Sequence, residues 1–82
     1  MKDYMAMFNE ALEIVDGLGI EAGEIVEVKL NYRAKNRLGQ CVHNMLFDTY
    51  ELNFNHLIFS DETDEDVVMN VLIHEILHTC RD

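Results

Sequence analysis

Near the C-terminal end of the chain, the stretch His74-Glu75-Ile76-Leu77-His78 sets two histidines four apart, with a glutamate directly after the first. On an α-helix, side chains four apart stand one turn above each other with Cβ atoms roughly 5 to 6 Å apart. Two imidazole nitrogens so placed can meet one metal ion at about 2.0 to 2.1 Å each. Glu75 follows His74 by about 100 degrees around the axis, too far round to share the ligand role but suitably placed to reach a metal-bound water. Zinc lowers the pKa of such a water towards about 7, and the carboxylate takes its proton as the water attacks a polarised peptide carbonyl. The pattern therefore assigns His74 and His78 as metal ligands, zinc as the cofactor and Glu75 as the catalytic general base. A lone histidine on an apolar helix is more often a hydrogen-bonded core residue. Glu75 argues against that reading here, because a carboxylate on an apolar helix is costly unless it faces a cleft or a metal.

Other chemistry-bearing residues are weaker candidates. His43 and His56 fall in strand-like segments, where histidines are usually structural or solvent-facing, and they serve at most as makeshift ligands. Cys41 and Cys80 match no zinc-knuckle spacing and are expected to be free thiols that pack as small hydrophobes. Arg33 and Arg37 could touch an acidic partner, although a solvated turn is the better explanation of both.

The elements that must position the motif follow from periodicity. Residues 2–17 place Tyr4, Met5, Phe8, Ala11, Leu12 and Val15 on one helical stripe, and Gly17-Leu18-Gly19 stops the helix. From Glu24 the period changes to two, with Val26, Val28, Leu30 and Tyr32 alternating against Glu27, Lys29 and Asn31, which predicts a strand with one buried face. The basic connector at residues 33–39 turns the chain. Strands are expected at 40–47 and 50–59, with Asp48-Thr49 as a tight turn between them. The last helix starts near Asp64, where Thr63 and Asp66 have capping-box spacing and the acidic run favours the positive end of the helix dipole. Its apolar residues, from Val67 to Leu77, go almost all the way round. Such a helix is normally buried on every side, so cover from a further segment or another chain is expected.

Composition narrows the classes. Of 82 residues, 49% are hydrophobic and 27% charged, with no long biased segment, so the chain reads as one globular α+β domain rather than a disordered one. The net charge of −10 opposes a phosphate-binding surface, and no direct nucleic-acid binding is expected from this segment. No apolar run reaches the roughly 20 residues of a membrane span, and the first ten residues lack the apolar stretch of a secretory signal. A cytoplasmic location without membrane association is the resulting expectation.

The order Arg-Ala-Lys-Asn-Arg-Leu-Gly-Gln-Cys (residues 33–41), Tyr-Glu-Leu-Asn-Phe-Asn (50–55) and Val-Leu-Ile-His-Glu-Ile-Leu-His-Thr-Cys (71–80) resembles the SprT-like, or Spartan-type, zinc metalloprotease domain. The likeness spans nearly the whole chain. Its combination of Gly39-Gln40-Cys41 and Leu52-Asn53 with the metal motif is more specific than the motif alone. The resemblance implies a minimal zincin-like fold: an N-terminal helix, a small three-stranded antiparallel sheet and a C-terminal metal-binding helix. It implies zinc on His74 and His78, Glu75 as the catalytic carboxylate, and a protein substrate. It also implies a third histidine ligand after the metal helix, in a Gly-His-Gly-like stretch that is absent from residues 79–82. Residues 1–82 are therefore expected to be a single partial domain, inactive by itself. Two alternatives stay open: a module that self-associates through the C-terminal helix, by metal bridging or apolar contact, and a non-catalytic protein-binding domain.

Overall fold

The helical stripe at the start of the chain becomes α1 (Tyr4–Gly17), and its ends show why it begins and stops there. At the N-terminus the Asp3 carboxylate accepts a hydrogen bond from the Ala6 amide, satisfying one of the donors a first turn leaves unpaired. At the C-terminus Gly19 takes a positive φ of 77°, so that its amide reaches Asp16 O and the Ile20 amide reaches Val15 O. That pair of bonds is the glycine-dependent Schellman stop. These features belong to a computed structural model that describes residues 1–33 and 36–80; Ala34 and Lys35 of the basic connector, and Arg81 and Asp82, lie outside the described residues.

Three strands follow, β1 (Glu24–Asn31), β2 (Gly39–Asn44) and β3 (Thr49–Asn55), in the spatial order β1-β3-β2. β2 and β3 form an antiparallel hairpin, whereas β1 pairs with β3 in parallel. The sheet is thus mixed, which corrects the expected antiparallel arrangement. The reason is burial. β3 contributes the fully covered Leu52 and Phe54 and so takes the centre, while β1 and β2, carrying Glu24, Glu27 and Lys29 or Gln40, His43 and Asn44, tolerate the edges. The connector from β1 must then cross two strand spacings, about 9.6 Å, and leave the middle place for β3.

Period-two reading also misses a phase change. A bulge between Ile25 and Glu27 sets Val26 apart from the pairing, so Ile25, Val28 and Leu30 pack against the core while Val26 is 58% exposed. One extra residue flips every side chain before it to the other face. Tyr32 lies beyond the strand and is exposed, its ring against His56. The β2–β3 connection spans residues 45–48 rather than Asp48-Thr49, with Asp48 at a φ of 54°. Asn44 Oδ1 accepts from the amides of Leu46 and Phe47. β2 accordingly ends at Asn44 instead of residue 47, and residues 56–59 leave the third strand as a 3-10 turn (His56–Phe59).

The last helix, α2 (Glu65–Leu77), is capped by Asp64, whose carboxylate accepts from the Asp66 amide. Thr63, expected to share a capping box with Asp66, instead donates its hydroxyl to Leu57 O. α2 and α1 pack together on one face of the sheet, and the core lies between them and β3: Phe8, Ala11, Val15, Leu52, Phe54, Ile58, Phe59, Val68, Leu72 and Ile76. The opposite face of the sheet carries polar groups, including Lys29 at 3.5 Å from both Glu27 and Glu51. Two layers give each helix one buried side only. Hence α2, apolar nearly all round, buries one stripe and leaves Val67 and Leu77 exposed, in place of the expected burial on every side. Among the described residues, no helix is long and apolar enough to cross a membrane.

Candidate metal centre

His74 lies within the last turn of α2 and His78 forms its C-cap, so the two side chains hold helical spacing to the end. Their Nε2 atoms are 3.0 Å apart and the rings stand nearly perpendicular, at 89°. Two nitrogens each about 2.05 Å from one tetrahedral zinc lie roughly 3.3 Å apart. The donor pair therefore fits a shared metal with only a small side-chain adjustment. Both histidines are exposed, which leaves the remaining coordination positions open to other ligands.

Glu75 is placed differently. It is only 7% exposed, and one of its carboxylate oxygens lies with one nitrogen of each histidine so that all three atoms fall within 4.8 Å of one another. Among the described residues no donor hydrogen-bonds its carboxylate. Yet no fully buried side-chain oxygen in the described structure lacks a partner, so the carboxylate keeps contact with water through the cleft in front of it. The carboxylate thus sits largely covered yet open to the cleft, beside the two histidines.

The partner surface comes from β2. Its inward residues Gly39, Cys41 and His43, together with Arg37, Gln40 and Tyr50, face His74, Glu75 and His78 across a cleft of about 540 Å³. Gly39 makes the approach possible. A Cβ there would lie 2.9 Å from Glu75 Cγ and 3.0 Å from Oε2, closer than real contacts allow. A glycine in a strand often marks such a close approach, but which surface approaches Gly39 is settled only by the tertiary structure. Burial pushes the Cys41 thiol above its ordinary pKa, and the negative charge of Glu75 adds to the shift. Cys41 and Cys80 are both free thiols.

The far end of α2 is fixed by a residue the sequence did not mark. Thr79 is fully buried, donates its hydroxyl to Ile76 O at 2.7 Å, and accepts the Gly23 amide at 3.0 Å. Only glycine fits at position 23, since an added Cβ would fall 2.6 Å from the Tyr50 ring and 2.7 Å from Thr79 O. This clamp ties the loop before β1 to the turn that follows His78.

The remaining candidates separate. His43 reaches the cleft, but its Nε2 is 2.9 Å from Asp48 Oδ1 and its ring stacks on Tyr50 at 4.5 Å. It does not join the group that could hold a metal ion, which among the described residues comprises His74, Glu75 and His78. His56 does not line the cleft; its Nδ1 sits 3.3 Å from Asn31 O. Arg37 lines the cleft whereas Arg33 does not, a distinction invisible in the linear connector. Comparison with protein-family models, with curated proteins and with solved structures found no match to this chain.

Proposed function

We propose that this chain carries the metal-binding and catalytic helix of a zinc-dependent peptidase of the SprT-like, zincin type, acting on a protein substrate in the cytoplasm. The observation that carries the reading is the solvent-wetted, unpartnered Glu75 carboxylate packed beside two histidine nitrogens 3.0 Å apart. On this reading His74 and His78 hold zinc, and a third protein ligand comes from outside the described residues, consistent with the third histidine that the resemblance implies.

Zinc bound there supplies Lewis acidity, which polarises a carbonyl and makes water acidic enough to be deprotonated near neutral pH. The protein's own residues do the rest. Glu75 accepts the proton of the attacking water on a carboxylate oxygen and returns it to the amine that leaves. Gly39 lets β2 approach closely enough to wall the cleft. The Thr79–Gly23 clamp holds the end of α2, and with it His78, against the domain.

Elemental analysis of the purified protein and a Glu75→Gln variant test this together. In a protein that also supplies the third ligand, the expected result is a stoichiometric zinc lost on mutating either histidine, and a hydrolysis rate that falls about 10²- to 10⁴-fold in the glutamine variant with zinc retained. Proteolysis that survives Glu75→Gln would point to the non-catalytic binding module instead. A second reading has its own observation: Val67 and Leu77 leave apolar surface on α2 uncovered, which favours self-association through that helix. A stable monomer in sedimentation at high concentration counts against it.

A further inference from the structure

The cleft at Glu75 adjoins a second hollow of about 520 Å³, and the two share Arg37, Gly39, His74 and Glu75 as walls. Arg37 and the His74–Glu75 pair therefore line both hollows from different elements. The backbone at Arg37 is pinned: its carbonyl accepts from the Asn55 side-chain amide at 3.2 Å, and the next carbonyl, of Leu38, accepts from the Asn55 backbone amide at 2.9 Å. Asn55 is itself buried, so the arginine projects from a fixed base.

Its guanidinium is unspent. The chain has 16 acidic residues against six Lys and Arg, yet Arg37 makes no ion pair with any described residue. Lys29, by contrast, is held between two glutamates, and the Lys2 ammonium donates to Ser60 O. Among the described residues Arg37 is the only lysine or arginine lining either hollow. A planar guanidinium with free donors recognises carboxylates with a geometry few other side chains match. In a protein of net charge −10 it also supplies the local positive potential that an anionic ligand needs in order to approach.

We infer that Arg37 is a specificity-determining residue that anchors a carboxylate of the bound peptide beside the metal centre. The inference rests on the peptidase reading for the identity of the ligand as a peptide, but not on hydrolysis taking place. Arg37 and Glu75 line the same cleft, so the carboxylate belongs close in sequence to the carbonyl that sits at Glu75. An acidic side chain or a peptide C-terminus would supply it equally.

Binding of short blocked alanine-based peptides to the zinc-loaded protein, followed by fluorescence anisotropy at low salt, tests the assignment. One peptide carries a single Glu, its counterpart carries Gln, and a third carries Gln with a free C-terminal carboxylate. The Glu peptide is expected to bind about three- to tenfold more tightly than the Gln peptide. Arg37→Leu should abolish that preference while leaving the Gln peptide unchanged, Arg37→Lys should restore part of it, and Arg37→Glu should reverse it towards a Lys-containing peptide. Preference for the third peptide over blocked Gln identifies a C-terminal carboxylate as an accepted source. Equal binding of Glu and Gln peptides, an equal loss of both in Arg37→Leu, or no binding of any peptide overturns the proposal. An Arg37-dependent preference that persists when Glu75→Gln proves harmless to proteolysis would retain this inference and remove only the peptidase reading.

Discussion

Helices α1 and α2 rest on the same face of the sheet and bury comparable stripes, Phe8, Ala11 and Val15 on one and Val68, Leu72 and Ile76 on the other, but they distribute their other residues in opposite ways. On α1 the charged residues Glu10, Glu13 and Asp16 face solvent. On α2 a glutamate is buried beside the apolar stripe while two histidines are exposed; both helices leave apolar side chains uncovered, Met5 and Ile14 on α1 (Met5 despite its place on the expected stripe) and Val67 and Leu77 on α2. The charged groups of the first helix follow the ordinary partition. The second departs from it over its last turn, where the group that could hold a metal lies. A carboxylate kept largely out of bulk water costs stability, and the proposed site coincides with this local departure.

That contrast can be broken by substitution. The largest expected effect separates activity from stability: in a protein that also supplies the third ligand, Glu75→Gln removes about 10²- to 10⁴-fold of the hydrolysis rate while urea denaturation shows no loss of stability. A strong destabilisation would mean that the buried glutamate is structural and that the two helices differ less than they look. Leu72→Ala, at a fully buried position on the same helix, should do the reverse and cost about 2 to 5 kcal/mol, read as a lower urea midpoint with an unchanged slope.

Gly39→Ala tests the strand side of the site. Its methyl must displace Glu75 and should cost about 1 to 3 kcal/mol, along with activity, because the carboxylate moves. In a Glu75→Ala background the same change should cost little. A persistent penalty in that double variant would place the conflict elsewhere. The caps are where the two helices agree: Asp3→Ala and Asp64→Ala should each cost about 1 kcal/mol, in thermal unfolding monitored by circular dichroism. The smallest effect concerns Cys41. Its raised pKa keeps the thiol protonated at neutral pH, so alkylation should be slow there and rise only as the pH climbs past the ordinary thiol range. Glu75→Gln removes one of the two causes, the like charge, and should move that rise to lower pH; no movement would separate the two side chains electrically.

Much of this was legible in the chain. The stripe of α1, its stop at Gly17-Leu18-Gly19, the apolar run of α2 and the one-turn spacing of His74 and His78 all follow from local periodicity and backbone chemistry. Strand pairing was not. The alternation in β1 looked regular, yet one bulged residue at Val26 and a central place for β3 were settled by which faces the core could cover. Thr63 looked like a cap by spacing, but the neighbouring Asp64 reached the free amide and left the Thr63 hydroxyl to bond Leu57 O. The importance of Thr79, and the difference between Arg33 and Arg37, depend on segments distant in sequence meeting in space.

The sequence by itself determined the donor atoms, their spacing along one helix, the α+β class and the negative charge that surrounds them, since each depends only on residue type and on geometry within a turn or two. Tertiary structure decided what those atoms can do. It set Gly39 against Glu75, opened a cleft in front of a largely covered carboxylate, and brought Arg37 to its wall. Burial and approach are properties of two surfaces together, and no periodicity along a single chain encodes which surface will be the other.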